Sequence, residues 1–268
     1  MKLPSLLLIT LLVFTSCKDN KTTNNVESIN YSEEKLDVTT SVYPENISNI
    51  FDAHGGIDAW RKMNTLKFTM EKESGTEITT TDLHNRYSII ETPAYNLGYD
   101  GEDVWLLKKK DDIGNLKPKF YYNLMFYFYA MPFVLADDGI IYEDVEPLRF
   151  EGTSYPGIKI SYESGVGESP EDEYILYYDS TTGEMAWLAY TVTFFTSEKA
   201  KEFHFIKYSD WQTINGLKLP KRLSWYNYEN NMPTTKRNDL DFINVVLTDD
   251  SKGASSFAKP DRAEVVKE

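Results

Sequence analysis

The chain has 268 residues, with 28 Lys and Arg against 42 Asp and Glu, for a formal charge of −14. So acidic a body repels polyanions and excludes nucleic acid as a partner unless a local basic patch offsets it; the longest basic run, Lys108-Lys109-Lys110, is followed at once by Asp111 and Asp112 and reads as a solvated strand end. A single cysteine, Cys17, excludes a disulfide framework, so the fold must rest on its core, for which 19 Tyr, 14 Phe and 5 Trp supply rings suited to half-buried sheet faces.

The sequence opens MKLPSLLLITLLVFTSC: one Lys, an apolar run over 6–14, then Thr15, Ser16 and Cys17. This layout predicts a secretory signal over 1–16, with an apolar core too short to span a bilayer. The position of Cys17 resembles the lipobox of bacterial lipoproteins, which implies a lipidated cysteine that ties the chain to a membrane. Residues 17–43 are rich in Asn, Thr, Ser, Glu and Lys and predict a flexible tether after that cysteine. Its start, Lys18-Asp19-Asn20, loosely resembles the acidic export tags of surface lipoproteins.

A folded domain is expected over 44–250, with a polar, frayed tail over 251–268 into which only Phe257 could dock. Ile47, Ile50, Phe51 and His54 fall at helical spacing, and Gly55-Gly56 ends that helix. A second turn over 58–63 leads into strands. From Thr65 the period becomes two: Leu66, Phe68 and Met70 share one face, as do Ile158, Ile160 and Tyr162, and Leu217, Leu219, Leu223 and Trp225. Further strands are expected at 77–83, 86–91, 103–109, 147–151, 173–179, 185–195, 202–210 and 239–247. Asp100-Gly101, Thr182-Gly183 and Asn215-Gly216 read as turns between strands. Pro220 predicts an edge strand or a bulge.

Residues 119–135, KFYYNLMFYFYAMPFVL, break the β-period and are apolar on nearly every face. They predict one or two short helices interrupted at Pro132 and buried on the concave side of a curved sheet.

Signals for chemistry are sparse. His54, His84 and His204 show no metal-ligand spacing, and GxSxG, GxxxxGK[ST] and GxGxxG are absent. No metal or cofactor is expected. His54 reads as a residue closing its helix, with an active-site base as the alternative. The acids at 168–173 and 100–103 could hold calcium or form a glycosidase pair, but in a chain with 42 acids such runs are ordinarily loops.

Three segments carry a family resemblance: AHGGIDAWRKMNTLKFTM (53–70), DWQTINGLKLP (210–220), and Tyr178-Asp179 with Thr182-Gly183-Glu184. They are similar to segments of uncharacterised outer-membrane lipoproteins of the Bacteroidota with a LolA/LolB-like (lipoprotein carrier or receptor) fold. The resemblance implies a mainly β, α+β fold: an incomplete antiparallel barrel of about eleven strands with helices on its concave side. It also implies a pocket for a lipid or another apolar ligand. Trp105, Tyr121, Tyr122, Phe126, Tyr129, Phe133 and Trp187 are the candidate lining. The expected protein is a non-enzymatic, lipid-anchored component of the outer membrane, facing periplasm or cell surface. The alternatives are an envelope hydrolase acting on lipid or glycan and a scaffold lipoprotein that binds another envelope protein.

Overall fold

The computed structural model describes residues 43–162, 172–195, 200 and 202–267. The expected signal, Cys17, the tag-like Lys18-Asp19-Asn20, the tether up to residue 42, and Glu168 and Glu171 lie outside the described residues.

Two short helices, α1 (Glu45–Ala53) and α2 (Ile57–Arg61), open the domain. Then come β1 (Thr65–Lys72), β2 (Gly75–Asp82), β3 (Ser88–Glu91), β4 (Tyr95–Tyr99) and β5 (Val104–Lys108). The apolar insert forms α3 (Pro118–Tyr121), α4 (Leu124–Tyr129) and a 3-10 turn over Phe133–Ala136, with Pro132 at the break, as expected. β6 (Ile140–Phe150), β7 (Thr153–Tyr162), β8 (Tyr174–Tyr178), β9 (Met185–Tyr190), β10 (His204–Ile214), β11 (Leu217–Glu229), β12 (Met232–Asp241) and β13 (Ile243–Thr248) follow, then β14 (Glu264–Val265).

The strands form two antiparallel sheets of seven, β13-β1-β2-β3-β4-β5-β14 and β12-β11-β10-β9-β8-β7-β6. Only Phe242 separates β12 from β13, so one bent stretch of chain leaves the second sheet and enters the first. Phe242 is 2% exposed and packs at this bend on Phe68 and Tyr129, with ring centroids 5.3 and 4.3 Å away. The two sheets stay unclosed, which gives the open, mainly β fold with short helices that the sequence led us to expect.

Fourteen described strands replace the expected count of about eleven. β4 escaped notice because Gly98 interrupts its apolar pattern. β6 begins at Ile140 rather than 147 because its largely exposed first half carries no dry face to read. In the tail Phe257 docks, as the sequence allows, while β14 corrects the expectation of fraying. Phe257 is fully buried, and Val265 pairs with Trp105 through β14, so the C-terminal segment covers the outer face of β5. Pro220 lies in β11, an internal strand, but the β11–β12 ladder covers only residues 222–229 of β11. The missing proline N–H therefore costs no rung to β12.

Two features fix the helices. Gly55, at φ 105°, brings its α-carbon against the Gly216 carbonyl; an added Cβ would sit 2.3 Å from that oxygen. Beside it, Lys218 N–H donates to the His54 carbonyl at 2.8 Å. The insert is held by hydroxyls: Tyr208 donates to Phe128 O at 2.7 Å, Tyr43 to Ala136 O at 2.9 Å, and Tyr142 to Leu135 O.

Gly55→Ala should therefore lower stability by about 2–3 kcal/mol. Gly114→Ala, also at positive φ but with nothing within 4 Å of the new Cβ, should cost only about 1 kcal/mol. Urea-unfolding midpoints of the two variants measure the difference. Tyr208→Phe strands a buried carbonyl and should cost about 1–3 kcal/mol. In the same assay Tyr129→Phe, whose hydroxyl has only a 3.4 Å contact with Gln212, should cost less.

Candidate functional site

Between the insert and the two sheets lies a cavity of about 490 Å³. That falls within the range of about 300–1,000 Å³ usual for small-ligand sites. The insert contributes Leu124, Phe126, Tyr127, Phe128, Met131 and Val134. The first sheet and its β2–β3 turn contribute Thr81, Arg86, Ser88 and Tyr99, and the second sheet contributes Tyr162, Tyr174 and Tyr190. Strand register explains the convergence. Ser88 pairs with both Thr81 and Tyr99, so the three share a face. Tyr174 pairs with Ile160 and Tyr190, and Tyr162 follows Ile160 by two residues on that same inner face. Phe194 lines the cavity while 37% exposed, which marks an opening; Phe120 and Phe195 flank it with ring centroids 5.3 Å away.

Polar groups are few and concentrated. Arg86, held at φ 62° in the β2–β3 turn, sends one guanidinium nitrogen to both Asp137 oxygens at 2.7 Å. Its guanidinium carbon lies 5.2 Å from the centre of the Phe126 ring. Burial raises the Asp137 carboxyl above its ordinary range while Arg86 opposes the shift. The two side chains retain 27% and 44% exposure, so this half-solvated pair contributes only about 0–1 kcal/mol. Asp172 is 8% exposed and accepts the Thr193 N–H at 2.6 Å; burial raises its carboxyl while bonds from Thr193 and Thr191 oppose that. Burial also raises the phenols of Tyr127, Tyr162 and Tyr174. All three stay protonated. Among the described residues, the buried lining atoms without a hydrogen-bond partner are Arg86 Nη1 and Thr81 Oγ1. Tyr190 accepts a bond from Trp225.

Of the seven residues expected to line a pocket, Tyr122 and Phe126 line this cavity. Tyr129 stacks on Phe242, and Phe133 on Trp60 at 4.6 Å. Tyr121 latches α3 to the first sheet: its hydroxyl donates to Glu77 at 2.7 Å and contacts Lys72, which stands 3.0 Å from Glu77. Trp105 and Trp187 occupy outer sheet faces. Trp105 lies against Gly98 and donates to Phe257 O at 3.0 Å, while Trp187 packs with Phe150 and Tyr226. Both tryptophans have apolar neighbours in sequence, so alternation could not tell which face is inner. Arg86, Tyr127, Asp137, Tyr174 and Tyr190 were missed; of the inner-face tyrosines, only Tyr162 stood in a recognised alternating run.

The remaining candidates have plain surroundings. His84 is exposed and its N–H donates to Asp82 at 3.1 Å. His204 sits between the rings of Tyr190 and Tyr228, where burial lowers its pKa. Asp100 accepts the N–H groups of Glu102 and Asp103 at 3.1 and 2.9 Å and so closes a turn. Glu173 pairs with Lys159 at 2.7 Å. No group of three potential metal ligands exists among the described residues.

His54 lies off the cavity and is fully buried. Its Nδ1 is 2.8 Å from Ile50 O, which can only accept, so Nδ1 carries the proton. Its ring meets Trp211 edge-on at 4.6 Å. Desolvation pushes its pKa down to about 4. Unfolded chain takes up this proton below about pH 6.5 and folded chain only below about 4, so the stabilisation is complete above 6.5 and lost as pH falls between those values. Between pH 7 and pH 4 the chain should lose about 3 kcal/mol more than His54→Phe does, measured by urea unfolding at each pH.

The structure is similar to that of a LolA superfamily protein from Nitrosomonas europaea, at 9% identity over 78% of this chain and 96% of that one, with a TM-score of 0.47. It is also similar to a DUF1329 family protein from Desulfovibrio piger, at 11% identity over 75% and 93%, with a TM-score of 0.44. No curated protein matches the sequence. Residues 102–237, which include the insert and most of the second sheet, match the family DUF6503. The chain thus belongs to DUF6503, a family of unknown function.

Proposed function

We propose that this domain binds a lipid or another apolar small molecule in the cavity beneath the insert, while Cys17 anchors the chain to the outer membrane. One observation carries the reading: about 490 Å³ is left between the insert and the sheets, walled mainly by aromatic and aliphatic side chains. Removing an apolar surface from water there gains about 25 cal/mol per Å². The lining favours binding over hydrolysis. Among the described residues it contains no His or Cys, and its carboxylates Asp137 and Asp172 are engaged by Arg86 and by Thr191 and Thr193. A nucleophile with an adjacent base is the minimum a triad-type hydrolase needs.

The test uses the chain carrying Cys17→Ser, purified without detergent. Organic extraction and mass spectrometry should recover an apolar molecule, and Nile red should bind with one site per chain. Leu124→Trp, which fills the cavity from α4, should weaken dye binding at least about ten-fold with the unfolding midpoint little changed. Neither an extractable molecule nor dye binding would end this reading. For the anchor, labelled palmitate should enter the wild-type chain in cells and be absent from the Cys17→Ser chain.

A further inference from the structure

Thr81 Oγ1 and Arg86 Nη1, the buried lining atoms left without a partner among the described residues, belong to one stretch of chain. Thr81 is 1% exposed, near the end of β2, on the inner face it shares with Ser88 and Tyr99. Arg86 stands in the turn that follows, where its backbone N–H donates to Asp82 O at 2.9 Å. Its guanidinium lies over the Phe126 ring, against the apolar insert. Neighbouring polar groups are spent on the protein: Asn85 Nδ2 donates to Asp82 at 3.1 Å, and Ser88 Oγ to Tyr122 O at 3.4 Å. Buried donors without acceptors are costly, so an occupant that brings an acceptor to Thr81 and Arg86 is favoured over one that does not.

Charge decides which acceptor. The guanidinium stays positive at any ordinary pH. Its Nη2 serves Asp137, but Asp137 is 44% exposed, and a pair so open to water is weak. Nη1 is the desolvated end of the cation, where an anionic oxygen would make a bond charged on both sides, about twice as strong as a neutral one. The other acids of the lining oppose this weakly. Asp138 is exposed, and Asp172 sits on the second-sheet side beside Tyr162 and Tyr174, engaged by Thr191 and Thr193. An ammonium head would meet the like charge of Arg86, and an uncharged ester would forgo the charge assistance. A carboxylate offers two oxygens, one for each donor.

We infer that the cavity takes a carboxylate-headed amphiphile, its head accepting from Arg86 Nη1 and Thr81 Oγ1 and its apolar body along Leu124, Phe126, Met131 and Val134. This rests on the reading that the cavity binds a small molecule. Three probes with a twelve-carbon tail separate the cases: laurate, monolauroylglycerol and dodecylamine, each displacing Nile red from the Cys17→Ser chain at pH 8, below their micelle-forming concentrations. Laurate should bind about ten-fold more tightly than monolauroylglycerol, and dodecylamine more weakly than both. Arg86→Gln should weaken laurate about ten-fold and Thr81→Val about three-fold, each changing monolauroylglycerol less. Nile red binding shows that each variant is folded, and Thr81→Val tests the same head position if Arg86→Gln does not fold. Equal or tighter binding of monolauroylglycerol or dodecylamine in the parent chain overturns the carboxylate preference and leaves the cavity reading standing. Laurate affinity unchanged in the folded variants overturns the head position. If Nile red itself fails to bind the parent chain, both readings fall.

Discussion

A helix that ends inside a protein leaves carbonyls with no partner, and in an apolar surround each costs about 1–3 kcal/mol. The insert raises this problem acutely. Its residues from Met125 to Ala136 are almost all buried except Tyr127, and α4 and the 3-10 turn have no side-chain cap. The hydroxyls of Tyr43, Tyr142 and Tyr208 supply the missing donors. They come from the segment before α1, from β6 and from β10, so satisfying one short stretch ties together the first helix, an edge strand and the middle of the second sheet. The tyrosine-rich composition follows: the ring packs in the dry interior and its far end reaches a carbonyl.

The same residue type makes the cavity. Where a tyrosine reaches the insert backbone it closes the structure, and where it does not, as at Tyr127, Tyr162 and Tyr174, it lines the cavity. α3 is drawn to the first sheet by the Tyr121–Glu77–Lys72 cluster, while Asp137 holds the insert's far end to Arg86. Held to the first sheet at both ends, the insert meets the second sheet through Phe128, whose carbonyl accepts from Tyr208.

Much of this fold was legible. Alternation placed β1, β7 and β11 and their dry faces, and unbroken apolarity marked the insert as buried. Illegible were choices that depend on a partner. VWLL and MAWLAY are apolar on both sides, so only pairing with Gly98 and Tyr177 reveals that Trp105 and Trp187 face outward. β6 is an exposed edge strand, where no burial imposes a pattern. The cavity was the least legible part, because its wall joins α4 to single residues from β2, β3, β4, β7, β8 and β9, and most of these read locally as ordinary core.

The segments that carried the family resemblance sharpen this division. Gly55, Gly183 and Gly216 meet around the C-terminal end of α1: Gly55 abuts the Gly216 carbonyl, and a Cβ on Gly183 would lie 3.0 Å from that of Ala53. Lys218 and Glu184, paired at 2.6 Å, lock the two turns beside the helix. Three stretches distant in sequence are thus one structural joint, and its need for close backbone approach explains why glycines recur there. None of the residues in 53–70, 178–184 or 210–220 lines the cavity. A resemblance confined to this joint speaks for the seating of α1 in the half-barrel. The cavity wall is built from other residues, chiefly the tyrosines of β7 and β8 and the insert.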